Sequence, residues 1–257
     1  MFKQSKLYKK KRYSAISYAA ILITSFISHS VLANPTINLS GEVKQGGLIV
    51  GKTNANNTVK LNDKPLKVSS EGDYVFGFSR DDDKTYKLEI IQPDGLTVSK
   101  NLLPTKQDYK LQRIEGIKKS IMQPNPKAVA RSQKDNKQIK TARKISSELT
   151  HFAHGFIPPI EGTITGVYGS QRIYNGVPKR PHFGLDYAGK IGDPVKSPAS
   201  GKVLLWVPDM FYSGGTMIID HGHGISSTFL HLSHSFVKKV TSLNKEKLSH
   251  QLVIAAE

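Results

Sequence analysis

The sequence has no cysteine, which excludes a disulfide framework, a thiolate nucleophile and any sulfur-ligated metal. A metal held by this chain must use His, Asp or Glu. Acidic residues are also scarce: 20 Asp and Glu face 37 Lys and Arg, a formal net charge of +17. The excess is uneven. Residues 1–33 hold six bases and no acid, so the remainder carries +11. Residues 100–148 hold thirteen bases and four acids, a local net of +9. Such a segment is expected to be drawn to anionic envelope surfaces by an attraction that salt screens. Residues 127–148 contain no aromatic side chain on which a base could stack, so nucleic acid is not an expected partner.

Between Tyr13 and Leu32 the only side chain with acid–base character is His29. With Lys9–Arg12 before it and Val31-Leu-Ala33 after it, residues 1–33 read as a secretory signal peptide; an uncleaved membrane anchor is the other reading. Either places the bulk of the chain outside the cytoplasm, in the periplasm or cell envelope.

Length accommodates two modules. Residues 34–110 offer short runs of β-branched and aromatic residues, such as Asp73-Tyr-Val-Phe-Gly-Phe78 and Tyr86-Lys-Leu-Glu-Ile-Ile91. They are punctuated by turn residues at Asn62-Asp63, Glu71-Gly72-Asp73 and Pro93-Asp94-Gly95. The pattern predicts an immunoglobulin-like β-sandwich. Asp81-Asp82-Asp83 reads as an acidic turn in preference to a calcium site. Residues 111–150 form a basic connector, whose Gly- and Pro-free run from Lys127 to Glu148 sets Val129, Ile139 and Ile145 on a thin apolar stripe. That run predicts a helix lying on a neighbouring surface. Residues 151–257 return to strand and turn composition, which makes the whole mainly β.

The chemistry concentrates in this last region. In Pro181-His182-Phe183-Gly184-Leu185-Asp186-Tyr187 an imidazole and a carboxylate stand four apart with glycine between. On a regular strand they would lie roughly 13 Å apart, so sharing one metal requires a bend, which Gly184 permits. A histidine and an aspartate flanking a turn is the other reading. Downstream, Thr216–Asp220 and Ile225–Leu232 predict an antiparallel hairpin around Gly-His-Gly. Simple alternation places Phe229 and His231 on one face, Leu230 and Leu232 on the other. His221-Gly-His223 has the form of a ligand pair but occupies the hairpin tip, and His234 and His250 lack supporting context.

Together, Glu161-Gly-Thr-Ile-Thr-Gly-Val-Tyr-Gly-Ser-Gln-Arg172, the stretch from Pro181 to Tyr187, Gly192–Val203, Gly214–Gly224 and Ser227–Ser233 resemble the lysostaphin-type (M23) zinc peptidases of bacterial walls. The resemblance covers Phe152 to about Val240. It implies an antiparallel β-sheet peptidase fold, a Zn2+ cofactor held by His182 and Asp186, His231 as the active-site histidine, and peptidoglycan as partner. It further implies a zinc-dependent endopeptidase that cuts peptide cross-links. Relatives carry a later His-x-His pair supplying a third zinc ligand. Here Gln251-Leu-Val-Ile-Ala-Ala256 stands where relatives approach it, so the sequence reads as truncated before that ligand. The alternative is an inactive wall-binding protein or activator.

Overall fold

A computed structural model describes residues 36–118 and 125–235, with the backbone of 242–243. The expected signal peptide and His250 lie outside the described residues. None of the described helices is long and apolar enough to cross a membrane. The described architecture is mainly β, with antiparallel sheets and one α-helix.

The first half folds as two antiparallel sheets. Strands β1 (Asn38–Ser40), β2 (Leu48–Lys52) and β5 (Asp73–Gly77) form a three-stranded sheet in the order β1-β2-β5. Strands β3 (Thr58–Leu61), β4 (Lys64–Leu66), β6 (Tyr86–Ile91) and β7 (Thr97–Leu102) form a four-stranded one in the order β4-β3-β6-β7. Alternate residues from both meet in one core of Ile49, Tyr74 and Phe76 against Val59, Leu88 and Ile90, as expected where each strand buries one face. Asn62 and Asp63 both adopt positive φ, 46° and 63°, between paired Leu61 and Lys64. This two-residue turn matches the right-handed twist of its strands.

The connector is tied to the C-terminal half at two places. Strand β8 (Leu111–Ile114) runs parallel to β10 (Gln171–Tyr174), which pairs with β11 (Val177–Pro178). Helix α1 (Pro126–Ala142) starts at Asn125, whose side-chain oxygen accepts from the Lys127 amide at 2.9 Å, and proline fills the first helical position. Both are start signals that satisfy or remove otherwise orphaned amides. Its thin stripe packs Ile139 and Ala142 against Leu204, Leu205, Met210 and Ile218. The helix ends before the Gly- and Pro-free run does, so Ile145 lies beyond it and is exposed.

The second half centres on a four-stranded sheet in the order β15-β14-β13-β16. Its strands are β13 (Gly201–Met210), β14 (Gly214–Gly222), β15 (Ile225–Leu232) and β16 (Ser242–Leu243). Strand β14 is almost wholly buried because it is covered on both faces. One face meets Val203, Leu232 and Phe229, the other α1. Beside it, β9 (Ile164–Gly166) pairs with β12 (Asp186–Tyr187).

The hairpin departs from regular register in two places, near its tip between Asp220 and Gly222 and at its far end beside His231. Gly215 pairs with Leu232 and Met217 with Phe229, so Leu230 and His231 together oppose a single residue. This is a bulge, and His231 carries it at a φ of 59°. Leu230 is therefore exposed while Phe229 and Leu232 join the same core. The expected pairings of Phe229 with His231 and of Leu230 with Leu232 are both broken by the extra residue.

Candidate active site

The chain between Pro181 and Asp186 bends at Gly184 instead of running straight. The bend closes the four-residue gap, and His182 Nε2 lies 3.1 Å from Asp186 Oδ1. Asp186 is positioned by the short ladder to β9, where it stands opposite Gly166. A side chain at Gly166 would collide with the Asp186 carboxylate, so glycine is what leaves room for that carboxylate to lie over β9. His182 is held from both ends. Its backbone amide donates to the Ser170 carbonyl at 2.8 Å, and its Nδ1 lies 3.1 Å from the Val167 carbonyl. A carbonyl can only accept, so Nδ1 carries a proton and Nε2 is the nitrogen left to face Asp186.

An imidazole nitrogen and a carboxylate oxygen 3.1 Å apart are a donor pair that a shared cation can hold once Nε2 gives up any proton. Ligands held about 2.0–2.1 Å from a tetrahedral zinc lie about 3.3 Å apart. A histidine whose second nitrogen donates to a backbone carbonyl is also how metal-binding imidazoles are usually oriented. The pair therefore fits zinc in donor type, spacing and orientation. Among the described residues no third His, Asp or Glu joins it.

His182, Asp186 and His231 line one cleft of about 1340 Å3. His231 lines it from β15, with its own amide donating to the Ser213 carbonyl at 2.8 Å. The left-handed backbone at this position turns the side chain out of the strand's regular alternation. The floor and rim are partly apolar, including exposed Phe183, Leu185, Leu230 and Tyr212.

The His221-x-His223 pair does not join this cleft as a donor pair. His221 is fully buried; its Nδ1 lies 2.7 Å from the Ser200 carbonyl and its Nε2 2.9 Å from Ser227 Oγ. The carbonyl requires Nδ1–H, which leaves Nε2 to accept from the serine hydroxyl, so both nitrogens are occupied in the neutral ring. Burial holds its pKa below the ordinary histidine value, opposed by the Ser200 contact. His223 sits outside strand geometry, at a φ of 50° beside Gly224 at 81°, as the first residue of a tight turn. Its ring lies 4.9 Å from that of Phe152. The two imidazoles serve the hairpin.

Three cleft residues escaped sequence reasoning: Arg143, Arg180 and Thr228. Arg180 stands two positions before His182 and was visible as a neighbour of the motif. Arg143 closes the C-terminus of α1, and nothing local in the sequence points it at a strand some 85 positions later, where its Nη2 donates to Thr228 Oγ1 at 2.9 Å.

Comparison with known proteins relates the segment that carries the cleft to a peptidase family. Residues 180–248 match the family described as Peptidase family M23. The chain is 41% identical over 59 residues to the peptidoglycan DD-endopeptidase ShyB of Vibrio cholerae serotype O1, and 39% identical over 59 residues to ShyA of the same organism. Each match covers 23% of this chain and 14% of the relative, so the chain spans only a small part of those proteins. A solved Pseudomonas aeruginosa structure described as an M23 peptidase superposes with a TM-score of 0.58 at 22% identity, covering 83% of this chain and 82% of that one. That likeness extends the shared fold well beyond the matched segment.

Proposed function

Starting from a chain that carries an M23 peptidase segment in an M23-like fold, we propose that it is an exported zinc-dependent endopeptidase that hydrolyses peptide cross-links of peptidoglycan. The observation carrying the proposal is the closed His182–Asp186 pair, 3.1 Å apart, facing a cleft that His231 also lines. The peptidoglycan endopeptidase names of the V. cholerae relatives supply the substrate class. A protein that works on the wall would act in the periplasm or cell envelope. In this reading residues 34–110 are a docking or spacing module, 111–150 the basic connector and 151–257 the peptidase region.

When bound by His182 and Asp186, zinc would supply a water of low pKa and polarise the scissile carbonyl. The remaining tasks fall to the chain. Val167 fixes the His182 tautomer, and Gly166 leaves room for the Asp186 carboxylate. His231 faces the cleft, where its imidazole can take a proton from the attacking water and return it to the leaving amide nitrogen. The water oxygen bonds to the carbonyl carbon, the C–N bond breaks, and the new amine keeps the returned proton.

The test is release of peptides from purified cell wall by the full chain with added zinc. Release should vanish with a chelator and in His182→Ala. A second reading is an inactive wall-binding protein or activator. It is favoured by the two-donor set, since a catalytic zinc is usually held by three protein ligands. Wall binding by zinc-loaded wild type that releases no peptide and is unchanged in His182→Ala would establish the second reading.

A further inference from the structure

Three features outside the metal pair invite a role. The acidic run Asp81–Asp83 borders a second cavity, but Asp82 already accepts from the Ser79 amide and the Tyr86 hydroxyl, and Asp81 pairs with Arg80. The histidines near Phe152 are packed into the hairpin. The arginines of the cleft are different.

Arg143 and Arg180 line the same cleft as His182 and His231. They come from separate elements and are fixed by separate contacts. Arg143 donates through Nη2 to Thr228 Oγ1 on β15, three residues before His231. Arg180 stacks over the Phe183 ring at 5.4 Å, beside His182. Phe183 is in turn braced by Tyr168, ring centroids 6.2 Å apart. Both side chains are exposed; partial desolvation disfavours the charge on Arg143, and the neighbouring Arg180 guanidinium disfavours it further. Among the described residues neither forms an ion pair.

The carboxylates that share the cleft are engaged elsewhere. Asp186 contacts His182. Asp135 accepts from the Phe211 amide at 2.9 Å and lies 3.8 Å from Arg131. Asp193 accepts from the Lys190 amide at 2.6 Å. Two like charges held together without an internal anion disfavour the empty cleft and favour an incoming one. A guanidinium presents a planar fork of donors that matches a carboxylate in two parallel bonds.

We propose that Arg143 and Arg180 form a specificity site for a free carboxylate of the peptide in the cleft, so that the protein prefers anionic stem peptides to neutral ones. The proposal rests on the endopeptidase reading for the identity of the peptide, and on the cleft geometry for its charge. Both arginines act on binding; neither is a proton donor or acceptor in the reaction.

The experiment measures binding of the full chain, at low salt, to two synthetic cross-linked stem peptides of the same sequence. One has free carboxylates and the other has them methylamidated; calorimetric titration gives both affinities. Wild type should bind the free acid about tenfold or more tightly, the effect of one charge-assisted fork. Arg180→Gln and Arg143→Gln should each lose most of that preference while binding the amidated peptide as wild type does. Arg143→Lys, which keeps the charge at the helix end, should recover part of it and guards against a folding artefact. Equal binding of both peptides by wild type, binding of neither, or full preference retained in both glutamine variants would overturn the site. Cleavage is scored separately. Preferential binding without cleavage would sink the endopeptidase reading and leave the carboxylate site standing; equal cleavage of both peptides would do the reverse.

Discussion

Replacing His221 with alanine discriminates between a ligand and a structural histidine. The ring is fully buried and bridges two segments, from the Ser200 carbonyl before β13 to the Ser227 hydroxyl on β15. Phe156 packs edge-on against it at 5.4 Å. Truncation removes both hydrogen bonds at once. Leaving a buried polar group unsatisfied costs about 1–3 kcal/mol, and the space vacated by the imidazole adds a cavity term. Part of this is recovered if water enters, so a loss of about 3 kcal/mol is expected. At about 2–4 °C per kcal/mol for a region of this size, the melting temperature should fall by roughly 10 °C. Thermal denaturation followed by circular dichroism measures the shift, and zinc titration of the still-folded protein at low temperature measures the metal. The expected outcome is a large thermal shift with zinc affinity unchanged. An unshifted melting temperature together with lost zinc binding would instead make His221 a ligand.

The same packing sets three more expectations. Burial depresses the pKa values of His221, His223 and His151, so the unfolded chain takes up protons first as pH falls. Stability should be complete above about pH 6.5 and decline below it, with His221 contributing at most about 1.4 kcal/mol per pH unit; a melting temperature that rises on acidification from pH 7 to 5.5 would contradict this. Gly222 has a φ of 101° and backs directly onto the Leu149 carbonyl, so Gly222→Ala should lower the yield of folded protein sharply, measured by soluble expression and protease resistance. Arg80 is buried, donates through Nε to the Gly169 carbonyl at 2.8 Å and lies 4.3 Å over the Tyr109 ring. Arg80→Met should cost about 1–3 kcal/mol by orphaning that carbonyl, seen as a lower denaturant midpoint, with no change in zinc affinity.

The β-rich halves were legible because strands announce themselves locally. Tyr86–Ile91 alternates, Asp73–Gly77 carries a buried run of Tyr, Val and Phe, and the turn between β3 and β4 uses Asn62 and Asp63, which tolerate positive φ. The closeness of His182 and Asp186 was legible as a possibility, since Gly184 allows the bend that the structure contains. What the sequence hid was non-local. The bulge at Leu230 and His231 depends on register with β14 and leaves no local signal, so simple alternation misplaced both leucines. The helix was expected from composition, but its end at Ala142 is set by packing on β13, which left Ile145 outside. The strand Leu111–Ile114 reads as connector until β10, sixty residues away, supplies its partner. Arg143 likewise gains its place in the cleft only through the fold.

Metal-dependent hydrolysis in the cleft of His182, Asp186 and His231 is open to a direct check by isotope incorporation. The full chain, loaded with zinc, is incubated with purified peptidoglycan in water enriched in oxygen-18, and released peptides are weighed by mass spectrometry. One heavy oxygen is expected in each newly formed carboxyl group, with no such product from His182→Ala or His231→Ala. Intact cross-links after incubation with zinc-loaded wild type, with the protein still bound to the wall, would rule out hydrolysis and leave a wall-binding protein.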